Sequence, residues 1–324
     1  MKVLLTGASG FVGSHILDVL CAAGLDVVVL LRPASNRRFL EPHLRQIEPR
    51  TGTLDDPGSL APALAGITHV IHCAGAIKAA RSAEFYRVNQ AGTLNLVEAA
   101  NLQPGLERLV LISSLAAAGP AGPDRPAREE DPPHPVSIYG RSKLAAEQEV
   151  RQRCRAEFVI LRPPAVYGPR DVEFLRLFRA ATAHLEPRPA RQSLSLVFVR
   201  DLAHAVHVSL THPAAARQTY FVAAREVVTA RELVRQVARQ VGRWTFPLPL
   251  PALALWPFCL AHELRARLTG RASVLSLQKF AELRAPGWVC DPRRFAHDTG
   301  QECGTTLAAG LAETLAWYRR EGWL

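Results

Sequence analysis

The chain has 324 residues, 48% of them hydrophobic, and a formal charge of +10. That length fits one large α/β domain or two unequal ones, and the apolar fraction supplies a large core. The only lysines are Lys2, Lys78, Lys143 and Lys279. The arginines are scattered, with no run of five basic residues and no basic–aromatic stripe, which argues against nucleic acid as a partner.

In chain order, Val3–Thr6 reads as a strand and Val12–Ala23 as an amphipathic helix. Asp26–Leu31 is a second strand, Leu44–Pro49 a weaker third and Val70–Cys73 a fourth. A helix follows over Ala83–Asn101, then a fifth strand, Arg108–Ser113, a long helix, Ser137–Cys154, and a sixth strand, Glu157–Leu161. This alternation implies a doubly wound parallel Rossmann sheet. After Arg162 prolines break the pattern. A strand near Leu196–Val199 and a helix over Asp201–Leu210 are expected to return to the main sheet. Thr229–Gly242, Leu253–Thr269, Ser273–Leu283 and Thr305–Arg320 read as helices. The division expected is a cofactor-binding Rossmann domain over 1–165, rejoined by 194–223. A smaller, mostly helical substrate-binding cap takes 166–193 and 224–324.

The N-terminus enters a strand at once, without the pattern of a signal peptide. Six cysteines without a C-x-x-C pair suit free thiols in a reducing, cytoplasmic setting. The most apolar stretch, Phe246–Ala261, is broken by four prolines and falls short of the ~20 residues that span a bilayer. It reads as a substrate-pocket wall and leaves interfacial membrane contact open. His204 and His207 share a helix face, but no third ligand accompanies them, so no metal is expected.

Thr6-Gly7-Ala8-Ser9-Gly10-Phe11-Val12-Gly13 spaces its glycines G-x-x-G-x-x-G between a strand and a helix. Gly7 permits the tight turn, Gly10 lets backbone approach a pyrophosphate, and Gly13 lets helix pack on strand. The helix N-terminus adds free N–H groups and partial positive charge. NAD-selective sites carry an acid at the end of the second strand to hold the ribose 2′-OH. Here that place holds Arg32, with Arg37 and Arg38 nearby, which favours NADP over NAD.

Tyr139 and Lys143 stand four apart in the long helix and so share one face. An ammonium beside a phenol stabilises the phenolate, which predicts a lowered tyrosine pKa and an acid/base near neutral pH. Ser113 and Ser114 close the fifth strand, and Ser114 is favoured as the hydroxyl that orients a substrate oxygen.

Together, Thr6–Gly13, Ser114 and the Tyr139/Lys143 pair resemble the extended short-chain dehydrogenase/reductase family. The resemblance extends through His72-Cys73-Ala74-Gly75, Val88-Asn89, Leu161-Arg162-Pro163, Val166-Tyr167-Gly168-Pro169 and Val199-Arg200-Asp201-Leu202. It implies that Ser114, Tyr139 and Lys143 are catalytic. It also implies that Leu54, Ala74, Gly75 and Lys78 lie along the cofactor with Ser113, that Asn89 supports the active-site backbone, and that Tyr167 nears the nicotinamide amide. Gly52-Thr53-Leu54 departs from the family's usual G-D-L, which puts the adenine contact of the missing aspartate in doubt. Within the family, Leu115-Ala116-Ala117 after Ser114 lacks the acidic pair of a dehydratase, and Ala165 stands where epimerases carry asparagine. The reading is an NADP(H)-dependent oxidoreductase that reduces a ketone or oxidises a secondary alcohol on a small, apolar substrate. The alternatives are an NAD-dependent nucleotide-sugar epimerase and a non-catalytic nucleotide-binding redox sensor. The resemblance leaves a homodimer open.

Overall fold

The computed structural model describes residues 1–188, 192–249, 256–257, 260–261 and 277–324. The first half runs β1 (Lys2–Thr6), α1 (Phe11–Ala22), β2 (Asp26–Leu31), β3 (Ile47–Thr51), α2 (Pro57–Leu64), β4 (His69–His72) and α3 (Ser82–Phe85). A π-helical turn over Tyr86–Ala91 then leads into α4 (Gly92–Asn101), β5 (Arg108–Ile112), α5 (Leu115–Ala118), α6 (Ile138–Arg153) and β6 (Glu157–Arg162). After these come β7 (Ala165–Tyr167), α7 (Val172–Thr182), β8 (Leu185–Arg188), β9 (Ser193–Phe198), α8 (Val199–Thr211), β10 (Gln218–Phe221), β11 (Val227–Thr229), α9 (Ala230–Val241) and β12 (Phe246–Pro249). The chain closes with helix Leu277–Arg284, strand β13 (Gly287–Trp288) and helices Arg293–Thr299 and Leu307–Arg320.

Seven parallel strands form the main sheet in the order β10-β6-β5-β4-β1-β2-β3. Helices cover both faces, so the central strands are apolar throughout instead of alternating. Val3, Leu5, Val27 and Val29 point to one face, against Ile16 and Leu20 of α1 and Leu202 and Val206 of α8. Leu4, Val28 and Val70 point to the other, against Leu60 of α2, Leu96 of α4 and Val150 of α6. Strand order reverses between β1 and β4, and the crevice that opens there at the carboxyl ends is where such sheets bind ligands.

The third strand begins at Ile47, later than expected, because a 3-10 turn with Pro42 at its start occupies Glu41–His43. The strand near Leu196 does not enter the main sheet. It pairs with β7, β11 and β13 in a second, four-stranded sheet, and β10 is the strand that closes the main sheet. Only α8 returns as expected, on the face that carries α1.

The cap is built around the second sheet. Phe174 and Phe178 of α7, Leu233 and Val237 of α9, and Leu311 and Leu315 of Leu307–Arg320 share a core with Phe198 and Tyr167. Helix α9 is sharply amphipathic. Thr229 caps its N-terminus by accepting from the Glu232 N–H at 3.1 Å, and Gly242 ends it in the left-handed conformation at φ 74°. The helix expected over Leu253–Thr269 lies outside the described residues apart from Trp256, Pro257, Leu260 and Ala261.

Candidate active site

Gly7 takes φ 76°, and a Cβ there would stand 2.7 Å from the Ala74 nitrogen. Gly13 lies directly over the turn, where a Cβ would come within 2.1 Å of the Gly7 carbonyl oxygen. Gly10 is the N-cap of α1 in an extended conformation, with no side chain capping the first turn. The N–H groups of that turn are thus left for an anion, as a dinucleotide pyrophosphate requires, and the cradle fits that group. Gly13→Ala is expected to destabilise the fold by about 1–3 kcal/mol, the usual cost of overpacking, as read by denaturant unfolding, and to weaken nicotinamide-dinucleotide binding through the displaced turn.

A buried relay ties this loop to the neighbouring strand. The Thr93 hydroxyl donates to the Asn89 carbonyl and accepts from His72 Nε2 at 3.0 Å. His72 Nδ1 therefore accepts from Thr6 Oγ1 at 2.8 Å, and Thr6 Oγ1 accepts the Ala74 N–H at 3.1 Å. Burial, reinforced by the Lys143 charge, pushes His72 down to about 3, so the ring stays neutral and the relay keeps one direction.

Asn89 sits in the π-helical turn, which interrupts the helix expected to run unbroken over Ala83–Asn101. The inserted residue turns the Asn89 amide inward. Asn89 accepts the Ala76 N–H at 2.7 Å and donates to the Ala76 carbonyl at 3.0 Å and to Ser142 Oγ at 2.9 Å. It thereby fixes Gly75 and Ala76 against α6. A Cβ on Gly75 would stand 3.8 Å from Lys143 Nζ.

Ser137 caps α6, accepting the Gly140 N–H at 3.1 Å, and Gly140 lets the helix press on α5, where a Cβ would meet the Ala116 oxygen at 2.2 Å. Lys143 Nζ donates to the Ile112 carbonyl at 2.6 Å. Burial lowers Lys143 to about 8, against the opposing influence of Cys73 and Glu147. Burial also carries Tyr139 up to about 12, with its hydrogen bond to Ser114 pulling the other way. The lowered phenol expected from the lysine neighbour is thus reversed by desolvation, and Tyr139 is held protonated.

Ser114 caps α5 and accepts the Ala116 N–H at 3.1 Å. Ser114 and Tyr139 open into a cavity of about 610 Å³ whose walls include Phe85, Phe174, Leu196, Leu233 and Trp288. Glu282 and Leu283 come from the helix Leu277–Arg284, and the Trp288 indole N–H donates to the Glu282 carbonyl at 3.1 Å. None of these wall residues belongs to a motif. Burial periodicity in α9 was the only available signal, and only for Leu233. Of Phe246–Ala261, expected to wall the pocket, Phe246–Pro249 does not line it, and 250–255 and 258–259 lie outside the described residues.

Other expected site residues fall as follows. Arg32 and Arg37 are exposed, and among the described residues neither meets a carboxylate, whereas Arg38 pairs with Glu321 at 3.1 Å. Ser9, Phe11 and Val12 stand at the loop and the first turn of α1, with the Phe11 ring edge-on to His15. Leu54 is buried under Gly92 beside the end of β3. Lys78 pairs with Glu173 at the pocket wall. Ser113 turns its hydroxyl away from the cavity to Glu147 Oε1 at 2.5 Å. Tyr167, expected near the nicotinamide, is 2% exposed and packs into the cap core between Phe174 and Phe198, beneath Gly310. Its large ring fills the space that Gly310 leaves on Leu307–Arg320. His204 and His207 line a separate groove, and among the described residues no group of three or more potential ligands could hold a metal.

The model of the NAD dependent epimerase/dehydratase family matches residues 3–223. A ceramide reductase of Caulobacter vibrioides is 32% identical over 326 residues, covering 99% of this chain and 96% of that protein. A UDP-glucose 4-epimerase of Vibrio cholerae is 30% identical over 291 residues, covering 85% and 84%. Among solved structures, the UDP-glucose 4-epimerase of Thermus thermophilus in complex with NAD is similar with a TM-score of 0.77. It is 28% identical, and the match covers 98% of this chain and 99% of that one.

Proposed function

The chain belongs to the NAD dependent epimerase/dehydratase family, and on that premise we propose that it is an NADP(H)-dependent oxidoreductase for an apolar ketone or secondary alcohol. The observation that carries this reading is the pairing of Ser114 and Tyr139 at an otherwise largely apolar cavity of about 610 Å³. A diphosphate-bearing substrate would call for cationic partners in the cavity, and among the described residues its wall offers Arg81 and Lys78, the latter paired with Glu173. The resemblance to a ceramide reductase over nearly the whole chain points the same way.

The bound nicotinamide would supply or take up hydride. Tyr139, protonated across the physiological range, gives its proton to the substrate oxygen during reduction. Ser114 holds that oxygen in line with the phenol. Lys143 keeps its ammonium below about pH 8 and, from α6, would hold the cofactor ribose. The loop Gly7–Gly13 holds the pyrophosphate, and Asn89 fixes the Gly75–Ala76 backbone beside it. In this division of labour, 1–165 with 199–223 serves the cofactor, and 166–198, whose strand β9 lies in the cap sheet, serves the substrate with 224–324.

Arg32 and Arg37 are assigned to the 2′-phosphate. Replacing both by alanine is expected to weaken NADPH binding by about 1.5–3 kcal/mol, roughly 10- to 150-fold, and to leave NADH binding unchanged. Equal losses for both cofactors would remove the NADP assignment. The reaction itself is tested by loss of reduced-nicotinamide absorbance with long-chain methyl ketones, NADPH and NADH being compared in parallel. A nucleotide-sugar epimerase is the second reading, favoured by the Vibrio cholerae relative. Interconversion of UDP-sugars without net cofactor oxidation would establish it.

A further inference from the structure

Strand β12 turns its large apolar residues outward. Trp244 just before it is 72% exposed, Phe246 63% and Leu248 40%, while Thr245 and Pro247 between them are half-buried. A shift of one residue would turn the apolar set inward, so the register selects the exposed arrangement. Pairing with β8 holds that register, Phe246 opposite Leu185 and Leu248 opposite Pro187. Leu185 extends the strip with 43% exposure. The Trp244 indole is held by stacking on His184 at 4.2 Å, and its carbonyl lies 2.8 Å from His184 Nδ1.

The surrounding sequence gives the strip a charge pattern. No charged residue occurs from Thr245 to Ala261, and Trp256 within that stretch is 47% exposed. Arginines dominate on both sides: Arg239, paired with Glu232, and Arg243 precede, and Arg265, Arg267 and Arg271 follow a single acid, Glu263. Exposed tryptophan, phenylalanine and leucine flanked by arginine match the interfacial zone of a bilayer, where rings sit at headgroup depth and guanidinium groups meet lipid phosphates. Among the described residues no helix is long and apolar enough to cross a membrane; the contact argued for is with the surface.

We propose that the outward strip Trp244–Phe246–Leu248, with Leu185, docks on the surface of an anionic phospholipid bilayer. In sequence the strip stands between two elements of the cavity described above. Helix α9 before it contributes Leu233 and Val234 to the cavity wall, and Leu277–Arg284 after it contributes Glu282 and Leu283. Docking would therefore bring the substrate cavity near the acyl layer. That use of the surface rests on the oxidoreductase reading; the docking itself does not.

The test is co-sedimentation of the full chain with vesicles of phosphatidylglycerol and phosphatidylcholine in equal parts, against vesicles of phosphatidylcholine alone. The wild type is expected to sediment with the anionic vesicles and to be released by raised salt. The triple variant Trp244→Ser, Phe246→Ser, Leu248→Ser is expected to lose most of that binding. It should keep its thermal midpoint and its turnover of a water-soluble ketone. A wild type that stays in the supernatant, or a triple variant that sediments like it, overturns the proposal. So does a dimer in sedimentation velocity that the triple variant converts to monomer, since the strip would then belong to a second copy. If no ketone is turned over yet the triple variant alone loses vesicle binding, the oxidoreductase reading fails and the docking stands.

Discussion

Tyr139→Phe is expected to lower kcat/KM for ketone reduction by about 10²- to 10⁴-fold, the range contributed by a positioned general acid. The replacement removes one hydroxyl and keeps the ring that packs against Phe85 at 6.2 Å. Ser114 still caps α5 through its bond from the Ala116 N–H at 3.1 Å, so the backbone around the site has no reason to move. Cofactor affinity should stay within a few-fold of wild type, because the glycine loop and Lys143 are untouched. Steady-state rates and cofactor titration on the same preparation separate the two effects. Turnover that survives the substitution would show that another group delivers the proton.

Arg162→Leu is expected to destabilise the fold by about 3–5 kcal/mol. Glu147 has no exposed surface, and Arg162 meets it twice, Nε to Oε1 at 2.9 Å and Nη2 to Oε2 at 2.6 Å. The Arg162 guanidinium also lies over the Phe221 ring, 5.7 Å from its centroid. Without it, a buried carboxylate keeps only the Ser113 hydroxyl at 2.5 Å and the more distant Arg151 at 3.6 Å. The double variant Glu147→Leu, Arg162→Leu should recover much of the loss, because the cost lies in the unpaired charge and not in the absence of the pair. Denaturant unfolding of the single and double variants checks this. A single variant within about 1 kcal/mol of wild type would mean that Glu147 takes up a proton in place of its partner. The pair matters to the site because Glu147 lies one helical turn beyond Lys143 and helps to keep that lysine charged.

The parts of this molecule that sequence made legible are those set by local rules. The β1–loop–α1 unit follows from glycine spacing and apolar periodicity, and the shared face of Tyr139 and Lys143 from helix geometry. What was hidden depends on contacts between distant segments. The π-helical turn that aims Asn89 leaves no mark in an amphipathic pattern over Ala83–Asn101. Between Ser113 and Ser114 the sequence favours Ser114 for the substrate, and the placement of Glu147 on α6 supplies the reason, since it takes up the Ser113 hydroxyl. Tyr167 sits in a familiar motif, yet Gly310, more than a hundred residues on, opens the space that draws its ring into the cap. The strand near Leu196 is apolar enough for either sheet, and pairing with Ala165–Tyr167 decides its place. The cavity wall was least legible, since Phe85, Leu233, Glu282 and Trp288 meet only in three dimensions.

The central claim, net hydride transfer to a carbonyl held by Ser114 and Tyr139, is tested most directly with NADPH carrying deuterium on the transferable position. The purified chain is incubated with this cofactor and a long-chain methyl ketone, and the alcohol is analysed by mass spectrometry. The account predicts one deuterium in the product alcohol for each NADPH oxidised, formed about 10²- to 10⁴-fold more slowly with Tyr139→Phe. An unlabelled ketone recovered intact, together with conversion of UDP-glucose by the same preparation, would contradict it.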